Sequence, residues 1–204
     1  TVQKRLRGTW QHHQNVSYCF FGSKKHLMEN IFQSRRMPFY QFGEMLHLEC
    51  IPTEYWVPFI CSRFEKYGKH ISKEYATRIC KMVKNYSSYV QQLAWNVMAE
   101  TEKEVDEDCL QNGINTLLQQ CSGLFIQQTE GLTTYQLNFI RLLCNDIHSG
   151  FTVQSIADTY PLGSKSNIDR IKKALENREI ITTSKDGVFL ADCVFELWFK
   201  KELM

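Results

Sequence analysis

The chain has 204 residues, of which 43% are hydrophobic and 13% aromatic, enough for ordinary cores and too apolar for a disordered segment. No stretch reaches the roughly 18 uninterrupted apolar residues of a spanning helix, and eight cysteines without a C-x-x-C pair exclude a zinc ribbon or dithiol centre; such usage fits thiols in a reducing cytoplasm. The formal charge of +2 hides an asymmetry: residues 1–100 carry 14 Lys+Arg against 7 Asp+Glu and residues 101–204 carry 10 against 15, so the halves are +7 and −5.

A basic amphipathic stretch through Trp10 precedes Val16, Tyr18, Cys19, Phe20 and Phe21, a short apolar run closed by Gly22-Ser23 that reads as a buried parallel strand. No comparable strand follows before Ile180. The neighbours of this orphan strand are therefore expected upstream of Thr1, and the chain reads as the C-terminal part of something longer. Left alone, the strand is expected to self-associate with another copy or to lose its order. His26 to Gln33 predicts a short helix, broken at Arg35-Arg36-Met37-Pro38, and a connector runs to Pro52. Thr53 is the expected cap of a helix reaching Gly68, Ser72 of one reaching Asn85, and Ser88 of a third in which Val90, Leu93, Ala94, Val97 and Met98 keep helical spacing. These three make a compact bundle.

The acidic run Glu100, Glu102, Glu104, Asp106, Glu107 and Asp108 reads as the solvated start of a fourth helix, with a docking patch as the alternative. That helix buries Val105, Cys109, Leu110, Ile114, Leu117, Leu118 and Cys121 on one stripe and is expected to end near Ser122-Gly123. Helices then follow at Tyr135 to Asp146, Val153 to Tyr160 and, after Pro161-Leu162-Gly163, Ser164 to Arg178, the helix-turn-helix order. Strands Ile180 to Thr183 and Val188 to Ala191 flank a turn at Asp186-Gly187, and a closing helix spans Phe195 to Phe199. Together the last segments predict a winged helix with a β-hairpin wing.

Three segments, Ser17-Tyr18-Cys19-Phe20-Phe21-Gly22-Ser23-Lys24-Lys25-His26-Leu27-Met28, Pro38-Phe39-Tyr40-Gln41-Phe42-Gly43 and Tyr89-Val90-Gln91-Gln92-Leu93-Ala94, resemble the archaeal-type ATPase family of P-loop NTPases of the AAA+/STAND kind. The resemblance covers nearly the whole chain and implies a mainly α fold class: orphan strand and helix from a truncated P-loop α/β core (1–50), a helical lid bundle (51–100), a bridging helix and linker (101–131), and a C-terminal winged helix (132–204). It implies that Ser23, with Lys24, is a polar sensor of the nucleotide γ-phosphate. A hydroxyl at the carboxyl end of a parallel strand sits where ligands bind in open α/β sheets, although Gly22-Ser23 can equally be a simple turn. Arg35 and Arg36 stand where related ATPases place an arginine finger, and a solvated pair is the alternative. The lid position that is often Gly-x-Pro in the family reads Asn85-Tyr86-Ser87 here, which leaves contact of Asn85 and Ser87 with nucleotide in question.

No GxxxxGK[ST] loop occurs in the 204 residues, so ATP and magnesium are expected in the parent protein and no cofactor on this chain. His12-His13 diverge on a helix and cannot share a metal, and no nucleophile elbow is present. The predicted recognition helix leaves Lys165, Ser166, Asn167, Arg170, Lys172 and Lys173 free to face DNA, yet residues 132–204 hold 9 Lys+Arg and 9 Asp+Glu. Phosphate neutralisation supplies most non-specific DNA affinity, so a neutral domain starts weak. The expected function is therefore a regulatory ATPase part whose winged helix contacts a protein partner, with a DNA-binding module as the alternative.

Overall fold

The computed structural model describes residues 2–22 and 25–204, leaving aside the side chains of Lys25 and His26. The chain divides into two compact units, Thr1–Glu49 and Cys50–Met204. It is mainly helical, with one two-stranded antiparallel sheet among the described residues.

In the first unit, helices α1 (Val2–Trp10) and α2 (Lys25–Gln33) flank the expected strand. No strand forms over Val16 to Phe21, because a strand requires a ladder partner and no described segment runs beside it. The residues join an aromatic cluster instead: Trp10 stacks on Tyr18 at 4.8 Å, and Phe20 lies 5.5 Å from Phe32 and 5.9 Å from Phe39. Phe39 is the one buried residue among those described in this unit.

The second unit opens with α3 (Thr53–Lys66), α4 (Lys73–Met82) and α5 (Ser87–Glu100). Ser72 caps α4 by accepting from the Tyr75 N–H, as its residue type predicts. The other two caps fall one or two residues earlier than expected. Pro52 precedes α3, freeing the Thr53 hydroxyl for Asn85, and Tyr86 precedes α5, whose start is set by the tight corner before it.

Asp106 caps α6 (Glu107–Thr129) by accepting from the Cys109 N–H, with Glu107 and Asp108 complementing the dipole. This helix runs through Ser122-Gly123 because packing on α5 and the last helix overrides the weak helix preference of glycine: Phe125, beyond the expected end, is fully buried. Gly113 lets α6 approach α5, since a Cβ there would stand 2.6 Å from Val97 Cγ2 and 2.9 Å from the Val97 backbone nitrogen.

A capping box at Thr133 and Gln136 starts α7 (Thr134–Cys144), followed by α8 (Gln154–Thr159) and α9 (Lys165–Asn177), the last capped by Ser164. Strands β1 (Ile181–Ser184) and β2 (Gly187–Leu190) pair Ser184 with Gly187, so the two-residue tip is Lys185-Asp186, one position before the predicted turn. Gly187 takes φ 137° inside the ladder, where a Cβ would lie 2.6 Å from the His148 carbonyl oxygen. Helix α10 (Cys193–Glu202) closes the unit, burying Phe195, Trp198 and Phe199. No helix among the described residues is long and apolar enough to cross a membrane.

Candidate functional site

The sequence-predicted site residues fall into four groups, and the structure brings only some of them together. Ser23 and Lys24 lie outside the described residues. Arg35 and Arg36 are exposed in the turn after α2; Arg36 lines an open cleft of about 450 Å³ with Lys4 and Arg7. Arg7 is committed to structure, donating to the Pro38 and Tyr40 carbonyls, the latter at 3.0 Å.

Asn85 and Ser87 form the corner between α4 and α5. Lys84 and Asn85 take φ of 48° and 58°, a left-handed pair that asparagine tolerates well. The Asn85 N–H donates to the Cys80 carbonyl at 2.9 Å, and its side-chain oxygen accepts from the Thr53 hydroxyl at 3.1 Å. These bonds turn the chain sharply and hold the corner against α3.

On α9, Ile168, Ile171 and Leu175 are buried while Lys165, Ser166, Arg170 and Lys173 are exposed. Asn167 is not free to read a ligand. Its amide nitrogen donates to the Leu162 carbonyl at 2.6 Å, and its oxygen accepts from Arg170 Nη2 at 2.6 Å. The side chain thus locks the turn, because Gly163 at φ 78° brings the backbone within reach of it. Asp169 and Glu176 are exposed on the same face as Arg170 and Lys173 and dilute its charge.

A joint that none of these groups predicts lies where the α4–α5 corner meets the start of α10. Tyr89 Oη donates to Asp192 Oδ2 at 2.5 Å. The other Asp192 oxygen caps α10, accepting from the Val194 N–H at 2.7 Å and the Phe195 N–H at 3.1 Å. Lys84 Nζ reaches Glu196 Oε2 at 2.9 Å, Lys200 Nζ reaches Glu196 Oε1 at 2.7 Å, and Cys193 Sγ faces the Val83 carbonyl at 3.3 Å. Three contacts therefore tie residues 83–89 to residues 192–196.

The electrostatics of the joint support its contacts. Burial, then the bond to Asp192, pushes the Tyr89 hydroxyl well above its usual range, so it remains a donor. Burial raises the Glu196 carboxyl, but hydrogen bonds from Lys200 and Lys84 outweigh it and hold the group below its ordinary value. Burial pushes the Cys80 thiol up to about 11 and the Cys144 and Cys193 thiols up to about 12, so none is a thiolate near neutral pH. Among the described residues no three acidic, histidine or cysteine side chains converge as a metal site requires. Donors and acceptors at the joint are matched.

A sequence signal for part of this joint exists. Asp192 immediately before the apolar Cys193-Val194-Phe195 is an N-cap pattern. Nothing in the sequence pairs it with Tyr89, more than a hundred positions earlier, because that pairing depends on the route of α6.

This arrangement of helices has a solved counterpart. The fold is shared with the Walker-type ATPase of Pyrococcus abyssi, at a TM-score of 0.70 and 10% sequence identity. The likeness covers 98% of this chain and 57% of that one, so this chain spans little more than half the length of the protein it matches. No protein-family profile matches the chain, and no curated protein matches it significantly.

Proposed function

We propose that the chain is the lid and output part of a P-loop ATPase of the AAA+/STAND kind, relaying nucleotide state to a protein partner through a C-terminal winged helix. The likeness of fold to a Walker-type ATPase supports the ATPase relation. The observation that carries the relay is the joint itself: Tyr89 to Asp192 and Lys84 to Glu196 fasten the α4–α5 corner to α10, against which the helix-turn-helix segment packs through α7. Displacement of the corner is thereby passed to the C-terminal segment rather than absorbed in a loop. ATP and magnesium belong to the parent ATPase in this reading, with Ser23 and Lys24 as sensor and Arg36 as the arginine nearest a basic cleft.

Hydrogen exchange on the ATPase that contains this chain, with and without ATP and magnesium, tests the relay. Protection at residues 84–89 and 192–196 should change together with nucleotide and become uncoupled in Tyr89→Phe/Lys84→Ala. Exchange in α10 that ignores nucleotide would overturn it.

The exposed Lys165 and Lys173 keep DNA binding as a second reading, since no ion pair engages either among the described residues. Anisotropy of labelled duplex DNA separates the two. Binding that falls steeply with salt and disappears in Arg170→Ala/Lys173→Ala would favour DNA. The Arg170–Asn167 bond and the neutral domain favour the protein partner.

A further inference from the structure

A groove of about 500 Å³ runs between α3 and α5. Trp56, Phe59, Arg63 and Tyr67 line it at intervals of three and four residues, the spacing of one helix face. From Trp56 to Tyr67 this face is about 16 Å long at 1.5 Å per residue, the length of three helical turns. Trp95 and Met98 of α5 form the opposite wall, and Tyr67 meets Trp95 edge to face at 6.5 Å. Three of these aromatics are left open to solvent: Phe59 is 41% exposed, Tyr67 58% and Trp95 59%. Trp, Tyr and Arg are the residues that most often dominate the energetics of protein interfaces.

The charge lining the groove is of one sign. Arg63 is the single charged side chain lining it, and no Asp or Glu does. Its guanidinium stacks over Phe59 at 4.8 Å and makes no ion pair among the described residues, which leaves its N–H fork available. The Trp56 indole N–H is the one buried side-chain donor among the described residues without an acceptor. The groove is thus mainly apolar and elongated, with one cation and the side-chain amides of Gln91 and Gln92 among its polar groups.

We infer that this groove docks an amphipathic helix of about three turns from another protein, with apolar side chains spaced to fill it and a carboxylate beside them for Arg63. A compact small molecule would not use the length of the face, and a basic segment would oppose Arg63.

Selection of displayed helical peptides against the full chain tests this, followed by anisotropy with each recovered peptide. The expected ligands carry apolar residues at i, i+3 or i+4, and i+7 flanked by Asp or Glu. Trp95→Ala should weaken them at least tenfold, and Arg63→Glu should reverse the preference toward peptides in which lysine replaces the acid. Trp95 is exposed, so its loss should leave the thermal melt in place, and Arg63→Glu supplies an independent reading if it does not. Recovery of no peptide, of peptides indifferent to both substitutions, or of basic ones would overturn the inference. So would self-association of the chain abolished by Trp95→Ala, which would make the occupant a second copy.

Discussion

The units Thr1–Glu49 and Cys50–Met204 dispose of their apolar side chains in opposite ways. In the second, Phe64, Phe125, Phe139, Phe195 and Phe199 are essentially fully buried in one continuous cluster. In the first, burial falls to Phe39 alone among the described residues, while Leu46 and Leu48 stand 81% and 88% exposed. Both are rich in aromatic residues, so composition does not separate them. Geometry does. Helices that pack face to face bury a stripe each, whereas an apolar run without a ladder partner can only stack its rings on neighbours.

The largest test of that contrast is Phe125→Ala. Phe125 meets Phe195 at 5.4 Å and Trp198 at 5.7 Å, linking α6 to α10. Truncating a fully buried phenylalanine costs about 3–5 kcal/mol, which in a chain of this size lowers the melting temperature by roughly 10 °C. Trp10→Ala in the first unit should leave that transition where it is. A shared loss in both variants, read by calorimetry, would show that the two units melt as one.

Gly113→Ala comes next, because the new methyl would meet the Val97 backbone rather than a flexible side-chain end. Overpacking of this kind costs about 1–3 kcal/mol, visible as a lower urea midpoint. An unchanged midpoint would mean that α5 and α6 can part without loss.

Below these stands Asp192→Ala, which removes a helix cap and leaves the Tyr89 hydroxyl without its acceptor, for about 2 kcal/mol in total. Asp192→Asn should recover much of this, since asparagine also caps well. Equal losses in the two variants would point to the charge, and not the cap, as the stabilising element.

The same contrast explains which features were legible in the sequence. Helix starts at Ser72 and Ser164, the stripe Leu110, Ile114, Leu117 and Leu118, and the β hairpin all follow from local chemistry. The end of α6 was not legible, because Phe125 is held by residues of α10 seventy positions away. The run Val16 to Phe21 forms no strand here, in keeping with the expectation that an orphan strand without its neighbours loses its order. At the joint, Tyr89 stood only within a segment that resembles the family, and neither Asp192 nor Glu196 carried a sign of its partner across the fold. Asn167 looked free because its neighbour Leu162 offers a carbonyl that only the fold brings near.

The smallest expected effect concerns pH, and it bears on the joint alone. Glu196 is held below its ordinary value of 4.5, so its contribution is present above that value in full and is lost as pH falls through the lower folded-state value. Lys200 is opposed by burial but raised overall above 10.5 by Glu196, so its contribution is present below 10.5 and is lost as pH rises through the folded-state value. Both limbs share one carboxylate. Glu196→Gln keeps the side-chain volume and removes that charge, so the variant should lose stability at pH 7 yet lie closer to the parent chain at pH 3. Lys84 and Lys200 are 57% and 38% exposed, so solvent screens the pairs and the difference at pH 7 should be about 1 kcal/mol or less. Raising the salt concentration should shrink it further. Urea midpoints that differ equally at pH 7 and pH 3 would remove charge from the account of the joint and leave Tyr89, Asp192 and the packing of Cys193 to hold it.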